Sequence, residues 1–338
     1  MPETSRLDIL NRTPSEAKIV TLDDIKLAQS RIKGVALRTP LVIDPRSAEN
    51  DKLYLKAECL QPIGSFKLRG AYNKVCSLTE DERKRGIIAH SSGNHAQGAA
   101  YAARALGVKA NIVIPANAPK LKIENTRALG ANVILCGPTS VERVQMAEAL
   151  AKQHGYIPVP PYNDEKIIAG TGTIGMEILE DMADVDLILA PVSGGGLISG
   201  IAAAIKLTNP KIKVIGVEPE LAADAQASLR AGERVTWDAV AITRTIADGL
   251  RTSPVGEIPW QHIKTYVDDI ITVTEDEIRK SVRRILQNTR LLAEPSGAVA
   301  PAAFFFHRDQ LPAARKTVAV VSGGNIAPEM LREILAGE

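Results

Sequence analysis

Four turns in this chain carry residue types that chemistry needs. Ser65-Phe66-Lys67 opens a helical stretch after Gln61-Pro62-Ile63-Gly64, and Ser91-Ser92-Gly93-Asn94 follows the apolar run 86–90. Ser193-Gly194-Gly195-Gly196 follows 186–192, and Ser322-Gly323-Gly324-Asn325 follows 316–321. Consecutive glycines let backbone N–H groups converge on an anion, and a helix start adds partial positive charge, so 193–196 reads as a phosphate cradle. A tight turn without ligand is the plain alternative. A lysine at a helix start is ordinarily a solvated charge, whereas in an apolar site it loses its proton and adds to a carbonyl. An amine, an anion cradle and a partner for a ring nitrogen are together what a phosphorylated aldehyde cofactor requires.

The glycine loop also admits a nicotinamide reading. Gly194, Gly196 and Gly200 form G-x-G-x-x-x-G, and Glu218 ends the next strand 22 residues after Gly196. The dinucleotide fingerprint, however, closes on G-x-x-G and opens its domain, and this loop lies deep in the chain.

Such turns need a scaffold, and the chain is long enough to build one. Its 338 residues allow about two domains with a sizeable core. Apolar residues at 45% and charged residues at 24% exclude a disordered chain. The charge balance, 41 − 39 = +2, gives no field to attract nucleic acid or an anionic membrane. Cys59, Cys76 and Cys136 form no CxxC, which indicates neither a zinc site, a redox pair nor a disulfide framework. The N-terminus has no basic start followed by an apolar run, and no stretch reaches the ~18 apolar residues that span a bilayer. A reducing cytoplasm is the expected compartment.

Thr21 with Asp24 three positions on predicts a capped helix over 22–33. Apolar, mostly β-branched runs at 52–57, 86–90, 110–114, 131–136, 186–192, 213–218 and 316–321 predict strands, and 141–153 and 197–206 have helical spacing. Strands alternating with helices imply an α/β protein with parallel sheets flanked by helices on both faces. In such sheets, ligands bind beyond the carboxyl ends of the strands, where the four turns fall.

From about residue 20 onward the chain resembles the fold-type II pyridoxal-phosphate enzymes (tryptophan synthase β-like), in the serine/threonine dehydratase and serine racemase branch. The resemblance rests on six motifs in order: Ser65 to Ala71, Ser91 to Gly98, Gly170-Thr171-Gly172-Thr173, Ser193 to Gly196, Glu294-Pro295-Ser296-Gly297 and Ser322 to Asn325. It implies that Lys67 joins the aldehyde carbon of pyridoxal 5'-phosphate, with Phe66 against the ring and Asn94 on the ring hydroxyl. Gly194, Gly195, Gly196 and Leu197 would hold the phosphate, and Ser322 would face the pyridine nitrogen. A hydroxyl there does not keep that nitrogen protonated, which weakens the electron sink and favours prompt loss of a β-substituent.

The same resemblance implies substrate contacts from Ser91, Ser92, Asn94, His95 and Arg143. Serine at 92 is the racemase-like choice, where biosynthetic threonine dehydratases usually carry alanine. Opposite Lys67 it would exchange a proton on the other face of Cα; hydrogen bonding to substrate or backbone is the plainer role. Arg143 would pair with a second substrate carboxylate or simply be a helix-surface arginine. Glu218, Ala222 and Asp224 match an all-oxygen divalent-cation site suited to Mg²⁺, Ca²⁺ or Mn²⁺. His90, His154, His262 and His307 form no ligand spacing and are expected to be structural.

The expected layout is a large domain of residues 1–77 and 164–338 and a small domain of 78–163, with the cofactor between them. The expected reaction converts serine, threonine or 3-hydroxyaspartate to a 2-oxo acid and ammonia, with serine racemisation as the alternative. A homodimer is expected from the resemblance. Biosynthetic threonine dehydratases continue into a regulatory domain, so isoleucine feedback is not expected. A β-replacement enzyme of the cysteine synthase kind, a nicotinamide oxidoreductase and a catalytically silent amino-acid-binding protein complete the alternatives.

Overall fold

The computed structural model describes residues 19–91, 93–118, 120–137 and 140–337. In chain order, α1 (Leu22–Ile32) precedes β1 (Leu41–Ile43), β2 (Lys52–Lys56), α2 (Lys67–Cys76) and α3 (Glu80–Arg85). Next come β3 (Ile87–His90), α4 (Asn94–Ala105), β4 (Ala110–Pro115), α5 (Lys120–Ala128), β5 (Asn132–Cys136), α6 (Ser140–His154) and β6 (Ile157–Pro158). Then follow α7 (Glu165–Asp181), β7 (Leu187–Pro191), α8 (Gly196–Thr208), β8 (Lys213–Pro219), α9 (Asp224–Ala231) and α10 (Glu257–Tyr266). The chain ends with β9 (Asp269–Val273), α11 (Glu275–Thr289), α12 (Pro295–Phe306), β10 (Lys316–Val320) and α13 (Pro328–Ala336).

Among the described residues the strands form a six-stranded sheet, β1-β2-β10-β7-β8-β9, and a four-stranded sheet, β5-β4-β3-β6. All pairings are parallel except β1 with β2, which is antiparallel. That edge departs from the all-parallel reading, because a strand of three residues offers no alternation to detect. β6, with two residues, escapes for the same reason.

The period of two along each strand divides the large core in half. Leu187 and Leu189 of β7 join Val282, Ile285 and Val299 from α11 and α12 on one face. Ile188 and Ala190 join Ile174, Ile198 and Ile201 from α7 and α8 on the other. Each fully buried aliphatic side chain contributes roughly 1.5–3 kcal/mol. α8 is apolar around most of its circumference because it is covered on all sides. In the four-stranded sheet, Ile87, Ala89, Ile112 and Ile114 face Leu68, Ala71 and Val75 of α2 and Ala96 and Ala99 of α4. Thus α2 follows two strands of the larger sheet in sequence but packs in the core of the smaller one.

Helix starts behave as the sequence indicates. Thr21 accepts from the Asp24 N–H while the Asp24 carboxylate accepts from the Thr21 N–H, and Thr79/Glu82 and Thr274/Glu277 do the same for α3 and α11. Among the described residues, no helix is long and apolar enough to cross a membrane.

Candidate active site

β2, β10 and β7 are neighbours in the large sheet, and their carboxyl ends lead into three of the four polar turns. The turns are stitched together by the backbone. Ser65 bridges Gly323, the Phe66 N–H donates to Ser322 O at 3.0 Å, and the Gly324 N–H donates to Gly64 O at 2.9 Å. The lysine turn and the Ser322 turn therefore form one rigid unit.

Lys67 is the first residue of α2. Its amine donates to the Pro161 carbonyl at 2.8 Å and lies 5.1 Å from the centre of the Phe66 ring. Burial alone pulls its pKa from 10.5 to about 8. α4 presses on the lysine's own turn: a Cβ on Gly98 would stand 3.1 Å from Lys67 O, tight enough that the turn would have to give by a few tenths of an ångström.

Arg69, two residues on, ties the helix down. Its guanidinium donates to both oxygens of Glu58 at 2.8 Å and to both oxygens of Glu177, at 2.6 and 2.8 Å, all fully or nearly fully buried. Lys56 adds a 2.7 Å bond to Glu177, and Thr39 a 2.6 Å bond to Glu58. Burial is the largest influence and would raise the Glu58 pKa, but the Arg69 charge and hydrogen bonds, with the Lys56 charge and the Thr39 hydroxyl, together hold the carboxyl below the usual range. A network this well satisfied fixes geometry more than it adds stability.

The glycine loop starts α8, a helix of 13 residues. Gly195 has φ +89°, a conformation only glycine adopts without strain. Thr171 Oγ1 donates to Gly196 O at 2.8 Å, and the Gly256 N–H donates to Gly194 O at 3.1 Å. Leu197 points into the apolar core beneath. The hydroxyls of Ser65 and Ser193 are buried and lack a hydrogen-bond partner. Buried polar atoms are rarely left so, and two such hydroxyls beyond the carboxyl ends of β2 and β7, the strands that flank β10, suit a polar ligand.

The fourth turn comes from β3 of the smaller sheet. The Ser91 N–H donates to Val113 O at 3.2 Å, and Ser91 Oγ accepts from the Gly93 N–H at 3.2 Å. Ser92 lies outside the described residues. Asn94 begins α4 and reaches the larger unit, donating to Glu294 Oε1 at 2.6 Å and accepting from Asn325 Nδ2 at 2.8 Å. Ser322 is buried, with Oγ at 3.5 Å from Ser296 O.

His95 is buried, and its Nε2–H donates to Val159 O at 2.8 Å. Burial, then the Lys67 charge, lowers its pKa to about 3, so the ring offers a substrate carboxylate no charge. Arg143 stands on α6 with its Nε buried and unpartnered, and burial lowers its pKa. Of the remaining histidines, His262 accepts from the Val20 N–H at 2.9 Å and donates to Ile258 O at 2.8 Å.

Glu218 ends its run in β8 and accepts from the N–H groups of Ala225 at 3.2 Å and Gln226 at 2.8 Å. The Asp224 carboxyl is buried, with the Val255 N–H and the Ser253 hydroxyl beside it. Burial and then Asp224 push the Glu218 pKa well up, and burial raises Asp224 to about 7. Among the described residues no group of three or more His, Cys, Asp or Glu side chains is arranged for a metal.

Sequence reasoning gave no role to Pro161, Thr171 or Glu294. Glu294-Pro295 marks a helix start, with proline at the first position, but not the direction of the carboxyl.

A partly desolvated amine, a glycine-rich helix start and unpaired hydroxyls, gathered where two parallel sheets meet, define an enzyme that holds a phosphorylated carbonyl cofactor. Pyridoxal phosphate is a group these residues could hold, with Lys67 available to its aldehyde, 193–196 to its phosphate, and Asn94 and Ser322 to its ring. A family model described as pyridoxal-phosphate dependent enzyme matches residues 32–323, and the chain belongs to that family, with the fold-type II architecture. The chain is 45% identical over 321 residues to the L-threonine ammonia-lyase of Thermotoga maritima, covering 94% of this chain and 78% of that protein. It is 42% identical over 310 residues to the catabolic L-threonine dehydratase of Escherichia coli K12, covering 91% and 93%. The solved structure of maize serine racemase superposes with a TM-score of 0.89 at 35% identity, covering 95% of this chain and 98% of that one.

Proposed function

We propose that this chain is a pyridoxal-phosphate-dependent ammonia-lyase that converts a β-hydroxy-α-amino acid (serine, threonine or 3-hydroxyaspartate) to a 2-oxo acid and ammonia. The observation that carries this reading is the Lys67 amine, its pKa lowered to about 8, bonded to a carbonyl rather than a carboxylate. Similarity to threonine ammonia-lyases supports the substrate class.

When bound, the cofactor supplies a carbonyl for the substrate amine and a sink for negative charge developing at Cα. The chain's residues do the rest. The amide groups at the start of α8, with Gly194, Gly195 and Gly196, hold the phosphate by charge and N–H donors. Gly93 and Asn94 at the start of α4, with Ser91, hold the substrate carboxylate and orient the Cα–H bond toward Lys67. Lys67 Nζ takes the Cα proton as general base, a task matched to a pKa near 8. Ser322, with a hydroxyl and no negative charge, leaves the ring nitrogen unprotonated. The β-hydroxyl leaves as water, its extra proton balanced by the one Lys67 Nζ removed from Cα, and hydrolysis of the released product gives the 2-oxo acid and ammonia.

Serine racemisation is the second reading, favoured by the match to maize serine racemase and by serine at 92. Arg143, partly buried with a free Nε–H, suits the second carboxylate of 3-hydroxyaspartate. A divalent cation (Mg²⁺, Ca²⁺ or Mn²⁺) would complete the two buried acids, Glu218 and Asp224, with the Ala222 carbonyl and water as further ligands. We assign residues 1–77 and 164–338 to the large domain and 78–163 to the small, with α2 as the wall between them, and expect a cytoplasmic homodimer.

The test is a keto-acid release screen over the stereoisomers of serine, threonine and 3-hydroxyaspartate, with chiral analysis of remaining substrate. Ammonia and 2-oxo acid from at least one supports the lyase; racemisation without keto acid replaces it with the second reading, and neither product overturns both.

A further inference from the structure

Glu294 precedes α12, and its side chain is buried, with 4% of the residue exposed. Its backbone N–H donates to Gly323 O at 3.0 Å, which joins it to the Ser322 turn. A Cβ on Gly323 would stand 2.1 Å from Glu294 Oε1, so glycine at 323 is the condition for this carboxyl to lie where it does. From there Oε1 accepts from Asn94 Nδ2 at 2.6 Å, across the junction between the two sheets.

The other side of Asn94 is fixed as well. Its Oδ1 accepts from Asn325 Nδ2 at 2.8 Å, and Asn325 Nδ2 also donates to Ile63 O at 2.8 Å. An amide nitrogen carries two N–H bonds, so Asn325 has given both of its own. If the Asn94 amide were turned over, its N–H groups would face those of Asn325, so Asn325 sets its sense, with Nδ2 toward Glu294. Glu294 Oε1 accepts one of the two N–H bonds and leaves Asn94 with a single uncommitted N–H.

We propose that Glu294 is a positioning residue for the cofactor ring: acting through Asn94, it fixes the rotation of that amide so that the remaining N–H is presented to the ring hydroxyl. The inference rests on the assignment of Asn94 made above. The groups facing Glu294 are Asp248, Lys122 of α5, which pairs with Asp248 at 2.6 Å, and Cys59. Burial, then the Asp248 charge, raises the Glu294 pKa to about 8. The carboxyl is then mainly uncharged at neutral pH and gives Asn94 an acceptor without placing a negative charge beside the ring oxygen.

The experiment measures pyridoxal phosphate affinity and the visible absorption of the bound cofactor in Asn94→Ala, Glu294→Ala, Glu294→Gln and the Asn94→Ala/Glu294→Ala pair. Asn94→Ala should weaken affinity about 10-fold and shift the absorption bands, the usual size of a lost buried hydrogen bond. Glu294→Ala should reproduce that shift, and Glu294→Gln, an uncharged acceptor of the same length, should stay within about 2-fold of wild type. The double variant should be no worse than Asn94→Ala. Should Glu294→Ala fail to fold, Glu294→Asp, too short for the 2.6 Å contact, should give the same shift. A shift in Asn94→Ala with none in either Glu294→Ala or Glu294→Asp, or losses that multiply in the double variant, overturns the role of Glu294. No shift in Asn94→Ala overturns the assignment of Asn94 itself.

Discussion

The Lys67 amine donates to the Pro161 carbonyl at 2.8 Å, on the segment that leads from β6 of the four-stranded sheet into α7. A carbonyl accepts one N–H but stabilises a positive charge far less than a carboxylate does. Its chain neighbour Asp164 pairs instead with Lys74 at 2.6 Å. The geometry therefore keeps the lysine in place while leaving its proton loosely held.

A first consequence concerns pH. Burial lowers the folded-state pKa of Lys67 from 10.5 to about 8, so the neutral amine becomes available at a lower pH than on an ordinary lysine. Capture of pyridoxal phosphate by cofactor-free protein, followed as borohydride-trapped label on Lys67, should rise with pH to a midpoint near 8. A midpoint near 10.5 would show that burial does not control this amine.

Arg69 links the lysine helix to Glu58 and Glu177. Arg69→Met leaves two buried carboxylates with only Lys56 as counter-charge, which should cost about 3–5 kcal/mol in urea unfolding. Because α2 would lose its anchor, cofactor affinity should fall with stability. Unchanged stability would mean that water reaches these acids.

The two acids at 218 and 224 give a prediction of opposite sign for removal and replacement. Chelation should lower the melting temperature, and Mg²⁺ at 100 times its dissociation constant should restore about 2.7 kcal/mol. Asp224→Asn removes a buried acid whose charge disfavours ionisation of Glu218, so in chelator it should be at least as stable as wild type and indifferent to Mg²⁺. A cation response that survives Asp224→Asn would place the ion elsewhere.

Ser92→Ala tests the second face of Cα. Racemisation should fall by at least about 100-fold, the lower range for loss of a general acid or base, while elimination persists. Equal losses in both activities would make Ser92 a substrate-binding group instead.

Much of this was legible in the sequence, for physical reasons. Strands such as 187–191 and 316–320 announce themselves because burial on both faces demands unbroken apolar runs. Turns that converge N–H groups need glycine and serine, which exposed 193–196 and 322–325. Contacts between distant residues leave no such trace. Arg69 meets Glu177 from 108 positions away, and Asn94 meets Glu294 from 200, so neither spacing nor composition reveals them. The edge strand β1 and the two-residue β6 are too short to carry a period. Individual roles for Lys67, Asn94 and Ser322 came from family resemblance, and the structure adds which elements hold each of them.

The most direct measurement is borohydride reduction of the yellow holoprotein followed by mass spectrometry of its peptides. The account requires the reduced pyridoxyl-phosphate mass on Lys67, with Lys67→Ala unlabelled and without turnover. Label on another lysine, or full activity in Lys67→Ala, would contradict it.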